Sequence, residues 1–395
     1  MKVTVVGLGY VGLPLAVAAC NAGFTVYGLD NDRQKVAKLN SGKTFIEDLS
    51  DEKIKNVIKS RNFIPTIDPN VISESKIVLI CVPTPLNKSR QPDLTSVIDA
   101  SITVGKNLKI GSLVIVESTI EPRTCRETIL PILIEESGLK MGEFELAYSP
   151  ERIDPTNKEW GITNTAKLVA GMTNNASEKA FEFYNKFIDL VIKCSSIEIA
   201  ETAKLLENSF RFINISFINE LAIYCHKNNI DIVEVISAAS TKPYGFMPFY
   251  PGLGIGGHCI PVDPIYLANS MNATGVPSRF IDLAVQVNKE IPDYFISRAK
   301  EILGEFKNKR VLVVGISYKP NVSDVRESPS IVLIGKLVQN GAQVFWHDDV
   351  VKEWNGELST PLSSDFDLVI LTTPHEYLDL TKLGEVPILN TRGSI

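Results

Sequence analysis

The sequence predicts an α/β fold: two Rossmann-like, doubly wound domains joined by a central helical region that contains one long helix. Three observations predict it. A β-branched run ends on glycine at residues 3–7, and the same pattern returns at 310–315. Each run is followed by a helical pattern and then a second strand closing on aspartate, at Asp30 and at Asp348-Asp349. Between them, Ile199, Ala203, Leu206, Phe210, Ile213, Phe217, Leu221 and Tyr224 recur at three- and four-residue steps, the period of a helix with an apolar face. The expected divisions are 1–195, 196–300 and 301–395, in keeping with roughly 100–200 residues per domain.

Residues 3–6 form an apolar run that stops at Gly7, as a buried parallel strand does. Residues 13–21 read as a helix with Ala22-Gly23 as its stop, and 24–29 as a second strand. Strand, helix and strand in about 30 residues make a βαβ unit. Further strands are expected at 77–82 and 113–116, with helical patterns between them, so a doubly wound sheet fills roughly the first 190 residues. Residues 196–228 read as one helix of about 30 residues. Its apolar surface fits either a subunit interface or a buried interdomain spine. In the last third, 310–314 is a strand, 330–339 a helix stopped by Asn340-Gly341, 343–347 a strand and 367–372 another. This region reads as a second, smaller nucleotide-binding fold.

Composition narrows the function classes. Of 395 residues, 44% are hydrophobic and 22% charged, the balance of a globular protein rather than a disordered or collagenous one. Forty Lys and Arg against 46 Asp and Glu leave a formal charge of −6. Non-specific binding to nucleic acid or to an anionic membrane is therefore not expected, and an anionic substrate would need a local cluster of cations. The opening residues lack a signal-peptide core, and no apolar run reaches about 18 residues, which points to the cytoplasm. The six cysteines, Cys20, Cys81, Cys125, Cys194, Cys225 and Cys259, include no C-x-x-C pair. They read as free thiols without zinc spacing, so no metal site is expected.

Gly7, Gly9 and Gly12 form a G-x-G-x-x-G that follows a strand and opens a helix. Such glycines permit a tight turn, close approach of a pyrophosphate and close helix–strand packing. The first-turn amides and the positive helix end favour phosphates, so Gly7, Gly9, Tyr10, Val11 and Gly12 are the candidate phosphate loop. Asp30, 18 residues beyond Gly12, could accept from a ribose diol and would repel a 2′-phosphate, which favours NAD over NADP, although Arg33 lies close by. Thr84 and Thr119 stand just beyond two strand ends, where open α/β sheets bind ligands. They fit either turn chemistry or the boundary between nicotinamide and substrate.

The densest chemical signal spans residues 249–264, where four glycines and three prolines frame Cys259. Glycines let backbone amides approach a bound group, so Cys259 reads as a nucleophile, or else as an incidental thiol in a glycine-rich turn. Asp263, four residues on, could orient a base, a water or a lysine. His258 is a possible activating base by adjacency, but sequence neighbours often point apart. Lys204 and Asn208, at i and i+4 of the long helix, share a face and suit an oxyanion, or form a solvated polar stripe. Glu151, after Pro150, fits a general base or a structural cap.

Seven ordered segments carry a family resemblance: GLGYVGLP at Gly7, VPTP at Val82, EST at Glu117, SPER at Ser149, AETAKLLEN at Ala200, PGLGIGGHCIPVDP at Pro251 and SYKPNVSDVRESP at Ser317. Together they resemble the nucleotide-sugar 6-dehydrogenases over essentially the whole chain. The resemblance implies an N-terminal NAD domain, a central helix forming a dimer core and a C-terminal UDP-binding domain. It implies NAD-dependent double oxidation of a UDP-sugar's primary alcohol to a carboxylate, through a cysteine thiohemiacetal and thioester. Carried over by motif, Cys259 is the nucleophile, Lys204 and Asn208 stabilise the oxyanion, and Lys204 also assists alcohol oxidation. Asp263 positions water or Lys204, Glu151 acts in thioester hydrolysis, and Thr119 orders the water. Glu151, Arg152, Lys204, Asn208, Tyr250, Gly256, Lys319, Arg326 and Arg392 are the substrate-binding candidates, with the cations supplying the charge that a −6 chain needs.

Ile260-Pro261-Val262-Asp263 lacks the lysine that UDP-glucose enzymes of the family carry after the cysteine. With the stretch from Ser149 to Asn157, it is similar to the N-acetylhexosamine branch. UDP-N-acetylglucosamine is expected ahead of its mannosamine epimer and of UDP-glucose. The C-terminus, Thr391-Arg392-Gly393-Ser394-Ile395, stops earlier than in relatives, which bears on uracil or interface contacts and not on the chemistry. Two other classes remain to be separated by experiment: a two-electron hydroxy-acid dehydrogenase and a non-enzymatic nucleotide binder. The family also implies a role in precursors of acidic surface polysaccharide.

Overall fold

The structure is a computed structural model that describes residues 1–46, 49–154, 157 and 159–392. Pro155 and Thr156 of the 149–157 stretch, and Gly393 to Ile395, lie outside the described residues. The chain divides into two compact units, Met1–Glu207 and Asn208–Ile395.

In the first unit the strands are β1 (Lys2–Val6), β2 (Thr25–Leu29), β3 (Phe63–Thr66), β4 (Ile77–Ile80), β5 (Leu113–Val116), β6 (Glu145–Tyr148), β7 (Lys167–Gly171) and β8 (Val191–Lys193). The helices are α1 (Gly12–Asn21), α2 (Arg33–Asn40), α3 (Asp51–Lys59), α4 (Thr95–Asn107), α5 (Leu130–Ser137) and α6 (Asn174–Tyr184). The strands join in one sheet of order β3-β2-β1-β4-β5-β6-β7-β8. Its pairs are parallel except β6 with β7. Strand order reverses between β1 and β4, so the crevice beyond their carboxyl ends is where such a sheet binds ligands. Period-2 alternation divides the strands between two cores. Val3, Val5, Leu79 and Ile115 pack with α1, while Val6, Val78, Ile80, Val114 and Val116 pack with α4 and α5. Strands buried on both faces need continuous apolar runs, and these supply them. Side-chain caps start several helices: Asp32 accepts from the Gln34 and Lys35 amides, and Thr173 from the Ala176 amide.

Helix α7 (Ile197–Lys227) has 31 residues, and the boundary between the units falls within it. Leu206 and Phe217 are each 60% exposed, and Ile199, Phe210 and Tyr224 are also exposed.

The second unit continues with α8 (Ile232–Ser240), α9 (Asp263–Ala273) and α10 (Arg279–Leu303). It ends in a parallel sheet of β9 (Arg310–Val314), β10 (Gln343–His347), β13 (Leu368–Leu371) and β14 (Ile388–Asn390), in the order β10-β9-β13-β14. Helix α11 (Pro329–Gln339) lies between β9 and β10 in the chain. Val311, Val313, Leu368 and Ile370 pack with Ile291, Phe295, Leu333 and Leu337 of α10 and α11. Leu312, Val314, Val369 and Leu371 pack with Phe366 and Leu383 on the opposite face. A small antiparallel ribbon, β11 (Glu353–Trp354) and β12 (Glu357–Leu358), turns at Asn355-Gly356. Both turn residues have positive φ, 52° and 81°, as an Asn-Gly type I′ hairpin requires.

Candidate active site

The glycine loop follows β1 as its spacing requires. Gly7, at φ +91°, passes so close to the end of β4 that a Cβ there would lie 2.7 Å from the Cys81 carbonyl oxygen. A Cβ on Gly12 would overlap the Gly7 carbonyl oxygen, whereas around Gly9 there is open space. Two of the glycines are therefore dictated by the chain itself, and the third leaves room for a ligand against the first-turn amides of α1. Tyr10 and Val11 are half-buried on this loop. Asp30 ends β2, with Oδ2 accepting from the Leu8 amide and Oδ1 from the Asp32 amide, both at 2.9 Å. Each carboxylate oxygen retains a lone pair for a ribose hydroxyl. Arg33 is exposed at the start of α2. An open phosphate turn backed by an acid at the next strand end fits a dinucleotide such as NAD.

Thr84 and Thr119 follow β4 and β5 and are half-buried. Ser118 Oγ donates to the Val82 carbonyl at 2.7 Å and ties these two strand ends together. Glu117, beside them, is 1% exposed and bonded to the Lys167 ammonium and the Tyr184 hydroxyl. Lys167 also donates to the Pro150 carbonyl at 3.1 Å. Burial, reinforced by the Glu117 charge, pushes the Tyr184 phenol well above its ordinary pKa. Sequence reasoning missed this cluster, because Lys167 and Tyr184 belong to no local pattern.

Glu151 follows β6 and is buried; one carboxylate oxygen accepts from the Ile153 amide. The other lies 3.7 Å from Nζ of Lys204, which is also buried, on α7. The structure thus brings together these two candidates, which are 53 residues apart in sequence. Arg152 instead pairs with Glu207 at 2.7 Å and donates to the Ala166 carbonyl at 2.8 Å.

In the second unit, Asn208 Nδ2 donates to Asp263 Oδ2 at 2.6 Å, and both residues are buried. The Asp263 amide in turn donates to the Cys259 carbonyl at 2.8 Å, at the head of α9. Asp263 therefore orients the Asn208 amide and fixes the cysteine turn in one step. Cys259 is half-buried, with Sγ 3.0 Å from Nδ1 of His258. Gly256 and Gly257 are crowded by protein. A Cβ on Gly256 would come within 2.7 Å of the Glu327 carbonyl oxygen, and one on Gly257 within 2.8 Å of the Tyr318 ring. The glycine frame seats the cysteine turn against residues 318–329.

Of the remaining candidates, Lys319 and Arg326 lie within that 318–329 segment, and the Gly257 amide donates to the Arg326 carbonyl at 3.3 Å. Tyr250 is exposed and Lys319 half-buried. Arg326 grips the Asp324 carboxylate through Nε and Nη2, the latter at 2.5 Å. Arg392 is exposed and donates to the Thr372 carbonyl at 3.1 Å.

The UDP-glucose/GDP-mannose dehydrogenase family matches along the chain: its NAD binding domain over residues 1–188, its central domain over 198–290 and its UDP binding domain over 312–392. The chain belongs to this family. As a member it is an oxidoreductase that takes NAD as cofactor and a UDP-sugar as substrate. The UDP-N-acetyl-D-glucosamine 6-dehydrogenase of Pseudomonas aeruginosa is 36% identical, over 95% of this chain and 90% of that protein. A UDP-N-acetyl-D-mannosamine dehydrogenase of Pyrococcus horikoshii is 31% identical, over 95% and 90% respectively. The solved structure of a UDP-D-ManNAc dehydrogenase from Pyrococcus horikoshii superposes with TM-score 0.91 at 28% identity, covering 99% of this chain and 95% of that one. Among the described residues no helix is long and apolar enough to cross a membrane.

Proposed function

We propose that this chain oxidises the primary alcohol of a UDP-N-acetylhexosamine, UDP-N-acetylglucosamine first, to the uronate in two NAD-dependent steps on one cysteine. The observation that carries this reading is the linkage in the second unit: the residue that accepts the Asn208 amide also fixes the backbone of Cys259. The 36% identity to a UDP-N-acetyl-D-glucosamine 6-dehydrogenase supports the choice of sugar.

Gly7, Gly9, Tyr10, Val11, Gly12, Asp30 and Arg33, with Thr84 and Thr119 toward the nicotinamide, would hold the dinucleotide. When bound, NAD supplies the hydride acceptor. Lys204 takes the alcohol proton and, with Asn208, stabilises negative charge on the sugar oxygen. The thiol of Cys259 adds to the aldehyde, keeps the carbon attached through the second oxidation, and leaves as water hydrolyses the thioester. Glu151 draws a proton from that water, which Thr119 helps to order. Asp263 acts through the Asn208 amide. Lys319, Arg326, Arg392, Arg152, Tyr250 and Gly256 contribute to substrate binding.

The exposed stripe Ile199, Leu206, Phe210, Phe217 and Tyr224 supports a homodimer formed through α7. Phe217→Glu is expected to shift sedimentation from dimer to monomer. Work in the cytoplasm on a precursor of acidic polysaccharide completes the reading. The substrate is tested by kcat/KM across UDP-sugars. UDP-N-acetylglucosamine is expected to exceed both UDP-N-acetylmannosamine and UDP-glucose by about tenfold or more. A preference for UDP-glucose would contradict the assignment.

A further inference from the structure

The side chains of His258 and Cys259 meet just beyond a glycine turn. Gly257 sits at φ +89°, and its amide donates to the Arg326 carbonyl at 3.3 Å. Beyond this turn Cys259 Sγ lies 3.0 Å from His258 Nδ1. With the ring hydrogen on Nε2, the thiol donates to Nδ1. The imidazole is held in place: the Tyr318 ring packs against it edge-on, with centroids 6.3 Å apart and planes at 66°. On the same loop Asp324 stays ionised. Burial pushes its carboxyl up, but Arg326 outweighs that and holds it below the ordinary range, and a charged His258 adds to the pull. Asp324 lies in the segment that packs on the ring: the Tyr318 amide donates to the Asp324 carbonyl at 3.0 Å. Nucleophile, base and an anion to steady the charged base form the arrangement that activates a side-chain nucleophile.

We propose that His258 is a catalytic residue that takes the Cys259 proton, leaving a thiolate beside an imidazolium steadied by Asp324. This rests on the reading of Cys259 as the nucleophile. The S–H bond breaks and an N–H bond forms at Nδ1. A sulfur electron pair then forms the C–S bond to the aldehyde carbon while the C=O π pair moves to oxygen. When water hydrolyses the thioester, the C–S pair returns to sulfur and the proton on Nδ1 goes back with it. No oxidant is needed beyond the NAD that the family activity already uses. The charged or titratable groups on the elements packed around the pair are Tyr318, Lys319, Asp324, Arg326 and Glu327 on the loop and Asp263 at the head of α9.

The test is alkylation of Cys259 by iodoacetamide in the full-length protein, followed by peptide mass spectrometry. Burial raises four of the other five thiols, Cys20 to about 12, Cys81 and Cys125 well above their ordinary value and Cys194 above it, and the fifth, Cys225, is buried. Wild-type Cys259 is expected to react fast already near pH 6–7, whereas an ordinary thiol turns on only near about 8.5. His258→Gln is expected to slow alkylation at pH 7 about tenfold or more. It should lower kcat for acid production about a hundredfold with KM for the UDP-sugar little changed. Recovery of the alkylation rate above about pH 9 would mark the lost base rather than a lost fold. Ordinary thiol behaviour in the wild-type protein, or unchanged alkylation in His258→Gln, overturns the proposal. Full acid production by Cys259→Ser would instead overturn the underlying reading, so the two failures are distinguishable.

Discussion

Gly7 and Gly315 occupy the same place in their two sheets. Each follows an interior strand, at φ +91° and +92°, and each donates its amide at 2.8 Å to the residue closing the next strand, Leu29 or His347. In each the aspartate that comes next accepts the amide after the glycine, Asp30 from Leu8 at 2.9 Å and Asp348 from Ile316 at 2.8 Å. Beyond that they part. Helix α1 starts at Gly12, within reach of the first turn, whereas α11 starts only at Pro329. Asp348 also accepts from the Ser317, Val350 and Val351 amides and lies 2.9 Å from His375 Nε2. The first acid keeps capacity for a ligand, while the second is spent on its own fold. One strand–glycine–aspartate plan thus leaves an open turn in one unit and makes a frame for the 316–328 loop in the other.

The largest effect that sharpens this comparison is at Gly315. A Cβ there would overlap the Thr373 carbonyl, so Gly315→Ala is expected to cost about 3 kcal/mol or more, with NAD affinity unchanged. Calorimetry and NAD titration on the same sample check it, and a loss of NAD affinity without a loss of stability would break the assignment. Next, Asp348→Asn is expected to destabilise by about 2–4 kcal/mol, because it strands several buried donors. Asp30→Asn should cost about 1 kcal/mol and instead lower NAD affinity and narrow the preference over NADP. Equal melting losses in the two variants would contradict the division of roles.

Smaller still, Gly9→Ala places a Cβ in open space. It is expected to leave stability within about 0.5 kcal/mol while weakening NAD binding about tenfold, since the methyl occupies the approach to the first-turn amides. The smallest effect is on pH. Burial pushes the Asp348 carboxyl up, but His375 and the Val350 and Val351 amides hold it below the ordinary range. A carboxyl lowered in the folded state stabilises fully above the unfolded value of about 4 and loses that contribution as pH falls through the lowered one. The melting difference between wild type and Asp348→Asn should therefore shrink as pH falls below about 4.

Much of this was legible in the sequence, for identifiable reasons. Apolar runs ending on Gly7 and Gly315, and the period of residues 196–228, fix strands and helix by local pattern, and the observed β1, β9 and α7 follow. The antiparallel turn of β7 was not legible, because strand direction depends on the path of the connection and not on the residues of a short strand. Nor was the use of Asp348, since Asp30 and Asp348 look alike until their donors are counted in space. At the site, Cys259, Asn208 and Asp263 stood out by their framing and spacing, but the bond from Asn208 to Asp263 joins residues 55 apart. The contact between His258 and Cys259 depends on backbone and side-chain angles that residue identity leaves free. The buried Glu117–Lys167–Tyr184 cluster draws on three elements and leaves no linear trace.

The measurement that bears most directly on the central claim is the number of NADH formed per UDP-sugar consumed in single-batch turnover, with the product identified by mass. Two NADH per UDP-N-acetylglucosamine, with the uronate as product and no free aldehyde, is the result predicted for oxidation held on Cys259. One NADH per sugar, or released aldehyde as the main product, would contradict it.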